Sequence, residues 1–103
     1  GANLLTAPSA FTYTTGELHW QLLLQTRSMD SQCSVLGAAQ QGWHGEKRQT
    51  WGHAAATNSR GQLLNMIHAD GAHLITVDFD LSEQQKIRES MPLMQHRKLL
   101  QLS

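Results

Sequence analysis

The stretch PSAFTYTTGELHWQLLLQTRSMDSQC, residues 8–33, contains the clearest helix pattern of the chain. Thr14 and Glu17 have the S/T-x-x-E spacing of a capping box, in which two side chains satisfy free backbone donors at a helix N-terminus. Apolar and small side chains then recur every three or four residues, which predicts a helix over residues 16–30. We expect its inner stripe to consist of Leu18, Leu22, Thr26, Met29 and Cys33.

Short apolar runs on either side of this helix predict β-strands, because β-branched and apolar residues bounded by turn residues are typical of buried strands. NSRG, residues 58–61, is predicted to be the turn of a hairpin. LITVDFDL has the strongest strand composition of the chain. The predicted strands are NLLTA (residues 3–7), CSVLGAA (33–39), WGHAAAT (51–57), QLLNMIHA (62–69) and LITVDFDL (74–81).

A second helix is predicted over LSEQQKIRESM, residues 81–91. Ser82 and Gln85 form a second capping box, and Pro92 marks the end of the helix. The element order is therefore strand, helix, four strands, helix, which predicts an α/β fold class. With 103 residues, the chain is one domain or less.

The charge balance argues against nucleic acid and anionic membranes as partners. Lys and Arg together number 8, as do Asp and Glu, whereas binding to polyanions usually requires a clear basic excess. No apolar run approaches the roughly 20 residues that a membrane-spanning helix needs. A single cysteine excludes an internal disulfide and favours a reducing compartment, so we expect a cytoplasmic protein.

The segment GWHGEKRQTW, residues 42–51, alternates aromatic and basic side chains. Trp43 and Trp51 flank Lys47 and Arg48, a pattern that can stack on bases and contact phosphates. Two cations beside a glutamate in a neutral chain give little electrostatic attraction for a polyanion. We therefore expect residues 42–50 to form a solvated polar loop.

Cys33 has two possible roles, a nucleophile assisted by His44 or His53, or a buried structural thiol. A nucleophilic thiol needs a lowered pKa, from a nearby base, a cation or a helix N-terminus. Cys33 instead follows the C-terminal, negative end of the predicted helix and begins an apolar run. The structural role is favoured, and a stand-alone Cys33/His hydrolase remains as the weaker hypothesis.

The histidines do not have the spacing of a metal site. Zinc ligands usually occur in closely spaced pairs, and the chain has neither an H-x-x-x-H on a helix nor a second cysteine. We expect no metal and no other cofactor. His19 lies in the predicted helix, and the other five histidines fall on separate predicted loops and strands, at His44, His53, His68, His73 and His96.

Several phrases resemble the nitrilase superfamily of carbon–nitrogen hydrolases, and within it the Nit-type amidases. They are residues 8–33 quoted above, GAAQQGWHGEKRQTWGH (37–53), DFDL (78–81) and MPLMQHRK (91–98). The resemblance implies that the chain forms part of a nitrilase-type α-β-β-α sandwich. It also implies that residues 1–103 are the C-terminal portion of the domain, truncated on the N-terminal side.

The family uses a cysteine nucleophile, a glutamate base and a lysine that stabilises the oxyanion. The resemblance places all three before Gly1, so no catalytic residue is expected in this chain. Cys33 matches the non-catalytic cysteine of the family's Q-C phrase, in agreement with its structural role.

Site residues and partners are also implied by the resemblance. Phe11 and Thr12 match a loop beside the nucleophile and are expected to line the site of a small linear amide, an ω-amide or a deaminated-glutathione-like compound. Simple packing is the alternative for Phe11. The helix over residues 16–30 matches one that dimerises in the family, and Trp20, Leu23 and Leu24 make its apolar arc wider than one core contact requires. A homo-oligomer is therefore expected.

The chain departs from the family pattern at two turns and at one further position. Gly52-His53-Ala54 replaces GHS, Asn58-Ser59-Arg60-Gly61 replaces DPWG, and Ser31 replaces an asparagine. Losing the Pro and Trp of the second turn removes rigidity and a packing anchor. These changes are compatible with a divergent amidase portion and also with a non-catalytic scaffold or partner module.

Overall fold

A computed structural model describes residues 1–96 of the chain. The fold is mixed α/β, as the sequence predicts. Its elements are β1 (Leu4–Thr6), α1 (Tyr13–Ser31), β2 (Ser34–Gly37), β3 (Gln41–His44), β4 (Arg48–Trp51), β5 (Ala55–Thr57), β6 (Leu63–Met66), α2 (Leu81–Ser90) and a 3-10 turn (Leu93–His96).

The strands form one four-stranded sheet and one two-stranded hairpin. The larger sheet has the order β1-β2-β5-β6, in which β1 and β2 are parallel and the other pairs are antiparallel. Because parallel neighbours need a crossover, the chain passes through α1 between β1 and β2. The smaller sheet pairs β3 with β4. The predicted hairpin around residues 58–61 is confirmed, since β5 pairs with β6 across this turn.

The core lies between α1 and the larger sheet. Trp20 and Leu24 on the helix pack against Val35 and Ala55 on the strands, and all four are at most 2% exposed. Burying each of the larger side chains in this group stabilises the folded state by about 1.5–3 kcal/mol. The buried face of α1 consists of Gly16, Trp20, Leu24 and Ser28.

The predicted inner stripe of this helix is wrong. Leu18, Leu22 and Met29 are 67%, 63% and 51% exposed, and Cys33 lies beyond the helix. The helix carries apolar side chains on two opposite faces, and the spacing alone does not say which face meets the sheet. Close packing selects the buried face, because only that face presents small residues where the helix approaches β4.

Gly16 allows this close approach. A Cβ added there would overlap the Cβ of Trp51 and lie 2.6 Å from its Cγ. Interiors packed this densely tolerate almost no extra volume. The sequence pattern placed Gly16 at the start of the helix, whereas in the structure it is the contact point between α1 and β4.

The helix begins at Tyr13, three residues earlier than predicted. Thr12 is the N-cap residue and makes no side-chain capping bond; its hydroxyl donates to the Thr15 hydroxyl oxygen at 3.1 Å. Thr14 and Glu17 lie inside the helix, so the predicted capping box does not form. The helix start is fixed instead by backbone pairing, because the Trp51 N–H donates to the Phe11 carbonyl at 2.9 Å.

The polar segment predicted as a loop over residues 42–50 is a β-hairpin. Trp43 pairs with Gln49 and His44 with Arg48, and Gly45 supplies the positive φ of 76° that the turn needs. Both faces of this hairpin are largely polar, so it lacks the apolar alternation that usually indicates a strand. The turn residues were the available signal.

The segment with the strongest strand composition forms no strand. Residues 72–80 lie outside both sheets and both helices of the described chain. Its β-branched residues favour a pleated surface, but β-propensity needs a neighbouring strand to be satisfied. In residues 1–96 no strand lies beside it.

Asp80 caps α2 in place of the predicted Ser82–Gln85 box. The Asp80 carboxylate accepts hydrogen bonds from the Ser82 hydroxyl at 2.6 Å and from the Glu83 N–H at 3.1 Å. These two hydrogen bonds, of which the one from Ser82 has the larger effect, hold the pKa of Asp80 below its ordinary value of 3.8. The capping carboxylate comes two residues earlier than the pattern placed the cap.

α2 is attached mainly by polar contacts with distant backbone. Gln84 Nε2 donates to the Asn3 carbonyl at 2.8 Å, and Arg88 donates to the Ala2 carbonyl at 2.8 Å. Gln32, just after α1, donates to the Met91 carbonyl at 2.8 Å. These bonds join the two ends of the described chain around β1.

We predict that Gly16→Ala destabilises the fold by about 1–2 kcal/mol. Alanine raises helix propensity by about 1 kcal/mol, but overpacking costs about 1–3 kcal/mol, and here we expect about 2–3 kcal/mol because the added methyl meets the Trp51 Cβ, which is fixed to the backbone. Urea unfolding measures the difference. Thr14→Ala is the matched control, because Thr14 is exposed on the same helix, and it is expected to leave stability unchanged or slightly raised. A Gly16→Ala variant as stable as the wild type would contradict the close-packing argument.

Candidate functional site

Cys33 is buried among backbone carbonyls and one guanidinium. Cys33 is only 3% exposed, and its Sγ donates toward the carbonyls of Ala2 at 3.2 Å and Ser31 at 3.4 Å. Arg88 Nη2 donates to the same sulfur at 3.2 Å. This environment ties β2, α2 and the residues before β1 together, which supports a structural role for the thiol.

The two histidines proposed as bases for Cys33 are engaged elsewhere. The Thr50 hydroxyl donates to the Gln40 carbonyl at 2.7 Å, so it accepts from His44 Nε2 at 2.8 Å. His53 Nδ1 donates to the Trp51 carbonyl at 2.7 Å. Within the described part of the chain, neither histidine is hydrogen-bonded to Cys33. The structure does not assemble the stand-alone Cys33/His pair.

The sequence analysis missed a cluster of stacked rings at the end of β4. The Trp51 and His53 rings stack at 3.8 Å with an interplanar angle of 10°. The Tyr13 ring meets Trp51 edge-on, and the His68 ring meets His53 edge-on. Trp20 Nε1 donates to the His53 carbonyl at 2.7 Å. His53 therefore links α1 to β4, and its positive φ of 59° is held by these contacts. The consecutive residues Trp-Gly-His, with glycine at a positive φ of 71°, were the available signal.

No metal site is assembled by residues 1–96, since no three His, Cys, Asp or Glu side chains converge there. His73 Nε2 donates to the Asp70 carbonyl at 2.6 Å, and Gln41 donates to the Asp70 carboxylate at 2.8 Å. These contacts organise the turn after β6. Neither helix of the described chain is long and apolar enough to cross a membrane.

The candidate site lies where the parallel strands β1 and β2 end. Residues 8–12 and 38–41 follow these strands and meet at one edge of the sheet, which we call the site edge. Ser9 N–H donates to the Ala38 carbonyl at 2.9 Å, and Gln40 N–H donates to the Ser9 carbonyl at 3.0 Å. Ligands of sheets with parallel strands commonly bind outside the carboxyl ends of those strands.

Two grooves border the site edge. One, of about 480 Å³, is lined by Pro8, Ser9, Ala10, Ala38, Ala39 and Gln40. The other, of about 460 Å³, shares Ala39 and Gln40 and extends to His44, Ala54, Ile67 and His73. The first groove has small apolar walls with Ser9 and Gln40 as hydrogen-bonding residues. The second adds the polar side chains of Gln41, His44 and His73. The two grooves can accommodate a small ligand, and among residues 1–96 the first groove is lined by no cysteine, carboxylate or lysine.

The two residues expected to line the substrate site have different surroundings. Phe11 is half-buried and its ring meets Trp20 edge-on at 5.3 Å, so packing accounts for part of its role. Thr12 is exposed, and it bridges to Thr50 through the backbone. Both follow directly after the groove-lining residues Pro8, Ser9 and Ala10. Their contact with substrate stays a prediction.

Comparisons with known proteins agree on one family. The family model described as carbon-nitrogen hydrolase matches residues 1–89. The chain is 46% identical over 98 residues to the "Nitrilase and fragile histidine triad fusion protein NitFhit" of Drosophila melanogaster, covering 95% of this chain and 21% of that protein. It is 38% identical over 100 residues to the "Deaminated glutathione amidase" of Yersinia enterocolitica, covering 97% of this chain and 35% of that protein.

Solved structures give the same fold. The NitFhit structure from C. elegans superposes with a TM-score of 0.83 at 38% identity, over 95% of this chain and 24% of that chain. Saccharomyces cerevisiae Nit3, described as a member of branch 10 of the nitrilase superfamily, gives a TM-score of 0.82 at 28% identity, over 94% and 36%. The chain thus spans between about a fifth and about a third of the length of these relatives. Its nitrilase-type fold is confirmed, and the chain belongs to the carbon–nitrogen hydrolase family of the nitrilase superfamily.

Proposed function

We propose that residues 1–103 are the C-terminal part of an amidase that hydrolyses the carbon–nitrogen bond of a small linear amide. The carrying observation is the carbon–nitrogen hydrolase match over residues 1–89. An ω-amide or a deaminated-glutathione-like compound is the proposed substrate class, because the Yersinia relative is named a deaminated glutathione amidase. We also expect a cytoplasmic location and no cofactor.

The proposed reaction is acyl transfer through a cysteine that lies in polypeptide outside this chain. The thiolate attacks the amide carbon, and a lysine stabilises the resulting oxyanion. A glutamate transfers a proton to the leaving nitrogen, so that ammonia or an amine departs and a thioester forms. Water, deprotonated by the same glutamate, then hydrolyses the thioester to a carboxylic acid and restores the thiol.

Within this scheme, the present chain supplies wall and support. The site edge presents backbone and small apolar side chains, and Thr12 adds an exposed hydroxyl beside it. Phe11 supports that position through its contact with Trp20. Cys33 stays outside the reaction, since its sulfur is surrounded by the contacts of Ala2, Ser31 and Arg88.

A non-catalytic scaffold or partner module derived from the family is the second candidate. The departures from the family pattern motivate it. The departure at residues 58–61 is weaker support for the scaffold than the sequence suggested, because Asn58 stabilises the turn. Its Oδ1 accepts hydrogen bonds from the Arg60 and Gln62 N–H groups, each at 3.0 Å. Local rigidity is therefore kept without Pro and Trp, which favours the amidase portion over the scaffold.

A second copy of the chain is the proposed partner of α1. The solvent face of the helix carries Leu18, Leu22 and Met29, whose exposed fractions exceed half. These residues form one apolar stripe opposite the buried stripe of the same helix. In a symmetric dimer each of these residues would be buried in both copies, because the two copies present the same face to each other.

We predict that a chimera releases ammonia from a deaminated-glutathione-like amide. It joins the part of the Yersinia amidase that has no counterpart in this chain to residues 1–103. Cys33→Ala in the chimera is expected to retain activity, whereas alanine at the nucleophile of the Yersinia part should abolish it. A chimera that melts cooperatively but is inactive would favour the scaffold. Ammonia release by residues 1–103 alone, lost on Cys33→Ala, would overturn the proposed division of roles.

We predict that Thr12→Val raises KM of the chimera about fivefold with little change in kcat. Losing one hydrogen bond to the bound substrate costs about 1 kcal/mol, and the exposed side chain contributes little to folding. Thr14→Val, also exposed in the first turn of α1, is the matched control and should leave KM unchanged. Equal effects of both variants would count against a substrate contact at Thr12.

We predict that Leu22→Lys converts a dimer to a monomer. Two leucines leave the interface and two like charges replace them, so the dissociation constant is expected to rise at least about a hundredfold. Sedimentation velocity measures the change. Gln21→Lys places the same charge on an exposed neighbour and should leave the dimer intact. Identical sedimentation of the wild type and both variants would argue against this interface.

A further inference from the structure

Gln40 lies where the two grooves of the site edge meet. Both grooves, of about 480 and 460 Å³, are lined by Ala39 and Gln40, and the alanine has no polar side-chain atom. The Gln40 side chain is exposed, and among residues 1–96 its amide forms no hydrogen bond. A carboxamide with one acceptor oxygen and two N–H donors is therefore free to bind a ligand at this position.

The backbone of Gln40 is held on both sides. Its N–H donates to the Ser9 carbonyl at 3.0 Å, and its own carbonyl accepts from the Thr50 hydroxyl at 2.7 Å. The first bond joins Gln40 to the segment after β1, and the second joins it to β4. Because two elements fix this backbone, less freedom is lost when the side chain binds a ligand.

Thr50 is in turn oriented by His44. Thr50 is only 1% exposed, and its hydroxyl accepts from His44 Nε2 at 2.8 Å while it donates to the Gln40 carbonyl. A hydroxyl with a donor on one side and an acceptor on the other has one preferred orientation. Thr50 also pairs with Thr12 through a backbone bridge, so β4 and the site edge are positioned together.

We propose that Gln40 is a substrate-binding residue that pairs with a second amide group of the substrate, beyond the bond that is cleaved. Thr50 and His44 are the positioning residues that hold it. This inference rests on the proposed function. A carboxamide is the hydrogen-bonding complement of a peptide group, because its N–H donates to the peptide carbonyl and its oxygen accepts from the peptide N–H.

The other walls of the first groove do not offer this pairing. They are a proline, three alanines and Ser9, whose hydroxyl donates to the Ala7 carbonyl at 3.3 Å. An amide group that leaves water without gaining a hydrogen-bond partner is bound unfavourably. Gln40 therefore determines whether a second amide is accepted in this groove.

This role distinguishes the two proposed substrate classes. A simple ω-amide has one amide group, and that group is cleaved. A deaminated-glutathione-like compound has a second one, the peptide bond between its cysteine and glycine portions. The inference therefore assigns the deaminated-glutathione-like class to the site edge.

Steady-state kinetics of the Yersinia chimera test the assignment. The kcat/KM is measured for deaminated glutathione and for the simple ω-amide with the same acyl group. Gln40→Leu removes the hydrogen bonds and keeps a side chain of similar size. It is expected to lower the ratio of the two kcat/KM values about tenfold, mainly through KM, because hydrogen bonds made only to the two-amide substrate are lost.

Gln85→Leu is the matched control. Gln85 is exposed on α2, which is attached near the beginning of β1 and not at the site edge. The same substitution there should leave the ratio unchanged. A Gln40→Leu chimera with the wild-type ratio would overturn the inference, even if its activity on both substrates were reduced.

Thr50 variants test the positioning role. Thr50→Val removes the hydroxyl, keeps the shape of the side chain and is expected to lower the same ratio about threefold. Thr50→Ser retains the hydroxyl and should restore the ratio. A merely structural role would instead reduce activity on both substrates together, and that result would contradict positioning. If Thr50→Val does not fold, His44→Ala at its exposed position is expected to lower the ratio about twofold, and an unchanged ratio would contradict positioning.

Ligand binding tests Gln40 without catalysis. The chimera with alanine at the nucleophile of the Yersinia part is titrated with each of the two amides, and the Gln40 side-chain NH2 signals are followed by NMR. Deaminated glutathione should shift these signals clearly more than the simple ω-amide does. Such a shift, found while the unaltered chimera is inactive, would support Gln40 even though the proposed function had failed.

Two results of the titration would overturn the inference. Saturable binding of deaminated glutathione without a shift of the Gln40 signals would do so and leave the proposed function intact. Absence of any binding would overturn the inference together with the proposed substrate. If the chimera does not fold, the same titration uses residues 1–103 mixed with the separately purified Yersinia part, and unshifted signals then reject the role of Gln40.

Discussion

The close contact between α1 and β4 is the constraint on which the rest of the structure depends. Gly16 lets the helix backbone approach Trp51, and this approach sets which face of α1 meets the larger sheet. Trp20 then reaches the His53 carbonyl, and His53 stacks on Trp51. One position without a side chain thus fixes the helix, the end of β4 and the beginning of the site edge relative to one another.

The sequence predicted the elements that have strong local signals. The long helix, the strand at residues 3–7, the hairpin around Asn58–Gly61 and the second helix are all present. Capping boxes were misplaced because they describe a local pattern, whereas the start of α1 is set by pairing of Phe11 with Trp51. The face of α1 was misassigned because both of its faces are apolar, and periodicity does not distinguish core from solvent.

The remaining differences come from interactions over long sequence separations. Residues 42–50 pair across a hairpin whose polar strands give no apolar alternation. LITVDFDL has the composition of a strand and yet no neighbour in the described chain. For the candidate site, the resemblance pointed to Phe11 and Thr12, and the structure places them between the groove-lining residues 8–10 and α1, paired with the backbone of β4. The ring cluster around His53 could be identified only from the folded structure.

The attachment of α2 has a consequence for how this chain can vary among species. Gln84, Arg88 and Gln32 donate to the main-chain carbonyls of Asn3, Ala2 and Met91. A main-chain oxygen is present whatever amino acid occupies the position. The accepting sites are therefore free to drift in identity while the three donors are held, so homologues should preserve the donors and diversify the acceptors.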